Sequence, residues 1–512
     1  MTMLKLTTAL LAASALAGVA HAQAAASTDE VEALRAQVQA MQAQIQALAQ
    51  VAADNNKALA DTNKKLANQS VSWKGMPETS GPDGFKFKLN GELQYDFGQI
   101  NNPGNRIVTP NLGFTGRSRR LLIGASGSLP GDFSYNFQFN FAEGVVDYED
   151  VIFEWAPHRT PLTFTVGYFY PFSSLDNMTS NRFIPVLERS QLNDAFNNGR
   201  RLGFAVTYVN PKNDFRIQLG AFNQGINGNA ALGYSATSTV TPAATPGGTP
   251  TVATSVSANN AGLFDRTGYQ GSARVVWSPK IYGGQAHLAA SFQWREFATD
   301  ARGLRYRARP FVFTTDQRFI DTTVAGSGDT IVGLEALYIW GPFHVQGEGQ
   351  YLHVRGYRPG YTVTPPQAIT GTAYPQDADF ASGYIEGGWW ITGETRGYKN
   401  GKIDRTKILH PVSEGGWGGL QLAGRVDYLN LSDQVGNTAA NSAGLVNGGR
   451  QIGYIGVLNY WPIDYVRIAA QYTHAEIRGG PLAAQVVPLS TQIPAGREYS
   501  TDAFALRAQI DF

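Results

Sequence analysis

From Phe85 to the C-terminus the dominant pattern is alternation. Phe85, Phe87, Leu89, Gly91, Leu93, Tyr95 and Phe97 interleave with Lys86, Lys88, Asn90, Glu92, Gln94 and Asp96. Phe133, Tyr135, Phe137, Phe139 and Phe141 interleave with Ser134, Asn136, Gln138 and Asn140. The chain ends on Phe504, Leu506, Ala508, Ile510 and Phe512 against Arg507, Gln509 and Asp511. A period of two puts one residue set on each face of a β-strand. Soluble sandwiches alternate too, but their strands run to about 5–6 residues. Longer runs, apolar on one face and polar on the other, suit tilted strands of about 9–11 residues that cross a bilayer.

Such segments start near residues 85, 115, 133, 149, 162, 200, 214, 269, 285, 330, 343, 382, 417, 450, 464 and 501. That makes sixteen, an even number, as bacterial single-chain barrels have. Ser128–Asp132, Pro157–Pro161, Asn210–Asn213, Ser278–Gly284, Gly341-Pro342 and Pro462-Ile463 are short connections. Phe169–Gly199, Asn223–Gly268, Phe297–Asp329 and Val354–Ala381 are long ones lying between them. Short periplasmic turns and long outer loops give this rhythm. Glu394–Gly416 breaks it, being long where a short turn is expected. The pattern predicts an all-β chain, a 16-stranded antiparallel transmembrane β-barrel over 85–512, and a barrel of that size encloses an aqueous channel.

Upstream the period changes. Val31, Leu34, Val38, Met41, Ile45 and Leu48 recur three and four apart, followed more weakly by Ala52, Asn55, Leu59, Thr62 and Leu66. This is the a/d seam of a short coiled-coil helix, expected over 23–69, with Glu30 at g and Arg35 at the next e. Val and Ile at a with Leu at d favour two strands. Residues 70–84, rich in Gly, Pro and Ser, read as a linker. Lys5, the apolar run Leu6 to Ala20, and Ala20-His21-Ala22 before Gln23 read as a signal peptide over 1–22. No cysteine follows it, which excludes a lipoprotein anchor, and no later stretch approaches the ~20 apolar residues of a membrane helix. The expected location is the outer membrane of a Gram-negative bacterium, with the helix in the periplasm.

Composition sharpens the picture. The 512 residues include no cysteine, 57 glycines, 12% aromatic and 16% charged residues. Thiolate metal sites and cysteine nucleophiles are thereby excluded, and no cofactor is called for. A net charge of +1 argues against nucleic acid as a partner. A mean hydropathy of -0.21 suits a barrel in which every second residue faces water.

Strand parity assigns the lumen. Lys86, Lys88, Arg120, Arg216, Arg274, Arg295, Arg425, Arg467 and Arg507 point inward, as do Glu92, Asp96, Asp150, Glu154, Glu335, Glu348, Asp427 and Asp511. Two basic clusters stand out: Arg117, Arg119 and Arg120 opening the second strand, and Arg302, Arg305, Arg307 and Arg309 after the ninth. Guanidinium forks match phosphate oxygens and stay charged, so the loop cluster reads either as a solvated edge facing lipopolysaccharide or as a funnel that concentrates anions.

Gly91-Glu92-Leu93-Gln94, Arg119-Arg120, Val166-Gly167-Tyr168-Phe169, Leu187-Glu188-Arg189, Ile391-Thr392-Gly393-Glu394 and Tyr398-Lys399, in this order, resemble the phosphate-selective porins, the porin O and porin P family. The resemblance covers Phe85 to Phe512. It implies a trimeric sixteen-stranded outer-membrane channel, a third loop (Phe169–Gly199) folded into the lumen, and the long turn Glu394–Gly416 as a family trait. It also implies that Arg119 and Arg120 belong to the anion site and that Arg305, Arg307 and Arg309 form a loop ladder. Glu92 stands where the family has an arginine, and the third loop carries Arg182 and Arg189, with Arg200 at its end, but no lysine. Two unit charges ~4 Å apart interact by about 4 kcal/mol at an effective dielectric of 20, so Glu92 beside Arg120 would weaken an anion site. Alternation forbids Arg119 and Arg120 from sharing a face unless a bulge intervenes; otherwise only Arg120 lines the pore.

The expected function is passive diffusion of small solutes, anions such as phosphate or polyphosphate, through a pore lined by Arg119, Arg120, Glu92, Lys86, Lys88, Arg305, Arg307, Arg309, Arg216 and Arg425. The alternative is a weakly selective general pore whose N-terminal helix, residues 28–68, tethers the envelope to peptidoglycan. Expected partners are small anions, outer-membrane lipid, lipopolysaccharide and two further copies of the chain. An outer-membrane hydrolase would need a serine, a histidine and an orienting group together; the seven histidines are scattered, so no enzyme is expected.

Overall fold

The computed structural model describes residues 28–512 apart from 68–69, 74, 82–83, 102–111, 145, 197–198, 224–233, 242–250, 259–266, 298–305, 323–326, 356–361, 365–367, 371–376, 434–445, 484–485 and 487–493. The signal-peptide segment 1–22, Arg302 and Arg305 lie outside the described residues. Residues Met1–Ser70 and Val71–Phe512 form two separate compact units. In the first, α1 (Thr28–Ala67) is one continuous helix of 40 residues. Its predicted seam is exposed in the single chain, Leu34 and Ile45 at 65% and Leu48 at 68%.

The second unit is a closed antiparallel barrel. Its strands are β1 (Lys86–Ile100), β2 (Gly113–Leu129), β3 (Phe133–Asn140), β4 (Asp147–Trp155), β5 (Leu162–Phe169), β6 (Arg201–Val209), β7 (Phe215–Phe222) and β8 (Thr267–Trp277). They continue as β9 (Gly284–Phe297), β10 (Gly328–Trp340), β11 (Phe343–Arg355), β12 (Ala378–Trp390), β13 (Gly419–Asp433), β14 (Val446–Ile463), β15 (Val466–Arg478) and β16 (Glu498–Asp511). All sixteen segments expected from the alternation are present. Each pairs with its sequence neighbour, β7 with β8 included, and β16 closes on β1 with Asp511 opposite Glu92 and Ala503 opposite Ile100. Closure leaves the sixteen-strand sheet without a free edge, which a bilayer demands because lipid cannot satisfy backbone groups.

The seam is finished by the last residue. Gly91 N–H donates to the Phe512 carbonyl at 3.0 Å, and Phe512 N–H returns a bond to Gly91 at 3.1 Å. The Phe512 ring occupies the space a side chain at position 91 would need. Because β16 pairs β1 only from Glu92 onward, the first residues of β1 have an open flank. Pro77–Ser80, inside the segment read as a linker, fills it as a short strand with Glu78 opposite Lys88.

Parity sets the two faces. On β10, Leu334 is 65% exposed on the outer face and Glu335 is buried on the inner. At the short-turn end the outer face carries aromatic rows, Trp340 against Phe343 at 5.9 Å and Phe343 against Trp389 at 6.1 Å on one side, Trp155 against Phe164 at 5.7 Å on another. Such rows are the interfacial girdle of a membrane barrel. The two-residue Gly341-Pro342 connection works because Gly341 adopts φ 53, a left-handed conformation open to glycine.

The long turn after β12 does not extend away from the barrel. It forms a hairpin, Gly397–Lys399 with Lys402–Asp404, whose Tyr398 Oη lies 2.6 Å from His287 Nδ1. Ile403 packs with Leu175, Leu337 and Ile339, and Arg405 pairs with Asp511. These are inward-facing partners, so the turn fills the short-turn mouth.

Leu334→Arg, a charge set on the outer face of β10, should destabilise the barrel refolded in lipid vesicles by about 2–4 kcal/mol, measured by urea titration. An unchanged midpoint would show that this face does not meet hydrocarbon.

Candidate functional site

Residues 170–196, between β5 and β6, turn into the barrel as a constriction loop. Ser174 starts α2 (Leu175–Met178), its Oγ accepting from Asn177 N–H at 3.2 Å. Asp176 Oδ2 then accepts from Ser190 N–H at 2.7 Å and Ser190 Oγ at 2.9 Å, immediately before α3 (Gln191–Ala195). One carboxylate therefore ties the two short helices together.

The barrel wall satisfies the loop's carbonyls with buried arginines. Arg295 donates to Phe196 O at 2.9 Å while paired with Asp329 at 2.6 Å. Arg467 donates to Ile184 O at 2.7 Å and to Pro185 O, and to Asn459 Oδ1 at 2.9 Å. Arg507 binds both Asp96 oxygens at 2.7 Å, Leu187 O at 2.5 Å and Glu188 at 2.8 Å. Arg425 binds Glu386 at 2.7 Å and reaches Asp176 at 3.5 Å. Wall acceptors take the loop's N–H groups: Glu348 from Asp176 at 2.8 Å, Asp427 from Gln191 at 3.1 Å and Gln471 from Leu187 at 2.9 Å. Buried polar groups of a loop inside a barrel need such partners.

The arginine pair is made possible by a bulge. Gln94 faces Arg120 and the next residue, Tyr95, faces Ser118, so Arg119 is the extra residue of β2. Both guanidiniums reach the same inner space. Arg119 forks onto Glu188 of the constriction loop with two bonds of 2.8 Å. Burial alone would raise the Glu188 carboxyl, but Arg119 and Arg507 hold it well below the usual carboxylate range. Arg120 donates to Gln94 Oε1 at 2.6 Å, and Gln94 in turn donates to Glu92 at 2.5 Å. The charge partner of Glu92 is Arg182 of the constriction loop at 3.2 Å. In place of the expected pairing of Glu92 with Arg120, the Gln94 amide stands between them and Arg182 pairs with the carboxylate.

Residues 306–322, in the connection after β9, also bend inward. Arg307–Ala308 pairs with Ile320–Asp321, and the Phe311 ring sits over Gly453, which has no side chain to obstruct it. The Phe313 ring carries three guanidiniums, Arg119 at 3.8 Å, Arg309 at 4.2 Å and Arg117 at 4.7 Å from its centroid. The π-face attracts cations and helps hold three like charges together, assisted by Asp316, 3.0 Å from Arg117 and 3.4 Å from Arg309.

Between the two loops and β2 lies a cavity of about 170 Å³. Arg119, Arg120, Arg189 and Arg309 line it, with Glu188 and Asp194 as its carboxylates. Arg189 is held only by neutral acceptors: Thr179 O at 2.8 Å, Asp176 O and Asn181 Oδ1 at 3.0 Å, and Tyr170 Oη at 3.2 Å. Among the described residues, no carboxylate lies within ion-pair distance of Arg120 or Arg189.

The sequence-predicted residues therefore divide into groups. Arg119, Arg120 and Arg309 come together at the cavity, and Glu92 stands one amide away. Arg307 sits on the short strand pair of the arginine-rich loop. Arg425, 2% exposed, is covered by the constriction loop and holds it in place instead of facing the channel. Lys86 is exposed and Lys88 half-buried at the start of β1, away from the cavity. Arg216 lies at the short-turn end, against Gly401 of the folded-in turn. Not singled out as site residues in the sequence were Arg189, Glu188 and Asp194, which sit in a segment without periodicity, and Glu386 and Phe313, which acquire roles through distant partners.

Residues 87–512 match the family model described as phosphate-selective porin O and P. A curated protein of Caulobacter vibrioides, described as uncharacterized, is 32% identical over 447 residues, covering 86% of this chain and 77% of its own. Among solved structures, the outer-membrane channel DcaP of Acinetobacter baumannii is similar at TM-score 0.45 and 10% identity, over 84% of this chain and 99% of that one. An anion-selective porin from Comamonas acidovorans is similar at TM-score 0.43 and 10% identity, over 83% and 99%. OprB of Pseudomonas putida is similar at TM-score 0.46 and 8% identity, over 84% and 94%.

Arg507→Met leaves Asp96 and Glu188 without their shared cation. Breaking a buried pair this way costs about 3–5 kcal/mol, and the loop it anchors should loosen. Single-channel conductance should rise and become noisier; conductance identical to the unmodified channel would show that Arg507 does not hold the constriction.

Proposed function

Since the chain belongs to the phosphate-selective porin O and P family, we propose that it is an outer-membrane channel for passive diffusion of small anions, phosphate or polyphosphate among them. The observation that carries this reading is the cavity with Arg120 and Arg189. Among the described residues these two guanidiniums have no carboxylate partner, whereas most inner-wall arginines are neutralised. A cation in a narrow, partly dewatered passage attracts anions more strongly than the same charge in bulk water. Arg309 and Arg307 add to the positive field on the arginine-rich loop, and Arg216, Lys86 and Lys88 place further cations at the other end. The working chemistry is electrostatic and needs no cofactor and no reaction, so the chain is read as a channel and not an enzyme.

A second reading is favoured by the pairing of Arg274 with Glu335, Arg295 with Asp329, Arg425 with Glu386 and Arg507 with Asp96. So much internal neutralisation suits a general, weakly selective pore. In either case the family resemblance supports a homotrimer in outer-membrane lipid and lipopolysaccharide. The exposed seam of α1 supports helix association in the periplasm, with peptidoglycan as a candidate partner of residues 28–68.

Phosphate added to channels conducting chloride should block the current, and Arg120→Ala should raise the half-blocking concentration by about tenfold, the loss of one charged hydrogen bond. Absence of phosphate block in the unmodified channel would reject the anion reading. Deleting residues 28–68 should leave conductance unchanged and weaken attachment of the outer membrane to the cell wall, scored by vesicle shedding; unaltered shedding would reject the tether.

A further inference from the structure

The outer face of β14, β15 and β16 changes character towards the long-loop end. Leu458, Ile468, Phe504 and Leu506 are exposed there as its apolar part, and Tyr454 and Tyr472 border it as interfacial aromatics. Beyond them the outward side chains stand in polar rows. Tyr454, His474 and Asp502 are opposite one another, then Ile452, Glu476 and Ser500, then Arg450, Arg478 and Glu498. In the first row His474 Nδ1 lies 2.8 Å from Asp502 Oδ1, which also accepts from Tyr472 Oη at 2.7 Å. A cavity of about 510 Å³ opens across these rows, with Arg450, Ile452, His474, Glu476, Arg478 and Ser500 in its lining.

The last row carries an unresolved charge. Arg450 and Arg478 face each other directly on neighbouring strands, a placement that like charges destabilise. Arg478 has Glu498 at 3.8 Å. Arg450 is exposed and forms no ion pair among the described residues. The barrel supplies its own comparison. Tyr351-Leu352-His353 on β11 repeats Tyr472-Thr473-His474, with His353 Nδ1 2.7 Å from Asp379 Oδ1 on β12. There the following arginine, Arg355, binds Glu296 at 2.8 Å and has Gly328 opposite it. The Tyr-His-Asp set is a recurring interfacial anchor, whereas the facing arginines belong to β14 and β15.

The layers of this face match the parts of one amphipathic molecule. The apolar side chains meet acyl chains. Glu476 and Ser500 offer acceptors to the hydroxyl and amide groups of a sugar head. Two neighbouring guanidiniums match the oxygens of a phosphate, and a phosphate set between Arg450 and Arg478 removes the repulsion their register creates. We propose that this face binds a phosphorylated glycolipid of the outer leaflet, lipopolysaccharide in an outer membrane, with Arg450 and Arg478 on its phosphate. The site lies on the outer wall, not in the lumen, and it rests on the outer-membrane placement of the barrel.

The test uses purified full-length protein refolded in detergent and titrated with bis-phosphorylated lipid A, with lipid A stripped of both phosphates, or with phosphatidylglycerol. Bound lipid is counted by native mass spectrometry. Bis-phosphorylated lipid A should half-saturate at a concentration at least ~10-fold below either of the others, the worth of one charged hydrogen bond. Arg450→Gln should raise that concentration by about tenfold with single-channel conductance unchanged, and Arg355→Gln should leave it where it was. Equal binding of bis-phosphorylated lipid A and phosphatidylglycerol by the unmodified protein overturns the site, whether or not the variants fold. Lipid A binding unaltered in Arg450→Gln, or weakened as much by Arg355→Gln, overturns the role of the facing arginines. Disulfide cross-linking of Ser500→Cys between copies, with no lipid A bound, gives the face to a second copy and overturns the proposal. Selective lipid A binding by a barrel that carries no current would overturn the channel reading instead and leave the lipid site standing.

Discussion

A loop inside a membrane barrel must find partners for its backbone where water is scarce, and here buried guanidiniums of the wall provide them. Arg295, Arg467 and Arg507 each donate to a carbonyl of the constriction loop while tied to an acid or amide of the barrel. Arginine suits this task because one planar head presents several donors in fixed directions. The position of the loop, the width of the passage and the identity of the side chains left facing it all depend on these anchors. Charge in the lumen therefore serves two ends, and most of it is spent on holding the loop.

The same economy explains why the cavity is positive although the lumen is mixed. Acids of the wall and of the loop are taken up by Arg182, Arg274, Arg295, Arg425 and Arg507. Arg120 and Arg189 are satisfied instead by Gln94, Tyr170, Asn181 and backbone carbonyls, which saturate donors without cancelling charge. Glu92 is paired with Arg182 and so removes less of the field than its place in the sequence suggests. The Phe313 ring lets three arginines crowd together at the approach to this cavity.

The barrel was legible because side-chain parity is a local property: Lys86 to Phe97 state their faces by alternation alone, and every strand repeats the statement. The bulge at Arg119 was legible as one of two alternatives, since two adjacent arginines on one face require an extra residue. The role of Arg425 was not, because parity reports that a residue faces inward but not that a loop more than two hundred residues away covers it. Arg189, Asp194 and Gln191 were obscured for the same reason. They belong to an aperiodic segment whose geometry is set by partners on β11, β13 and the arginine-rich loop, and pairings that distant leave no periodic trace. The stretch 70–84 shows the converse, a short strand at Pro77–Ser80 formed because β1 had an open flank and not because its composition favours strand.

The central claim is that neutralisation within the lumen is incomplete and leaves a positive constriction around Arg120 and Arg189. The reversal potential of single unmodified channels across a tenfold KCl gradient tests it most directly. A positive constriction predicts a potential of the sign set by chloride carrying more current than potassium. A potential near zero, or of the sign set by potassium, would contradict it.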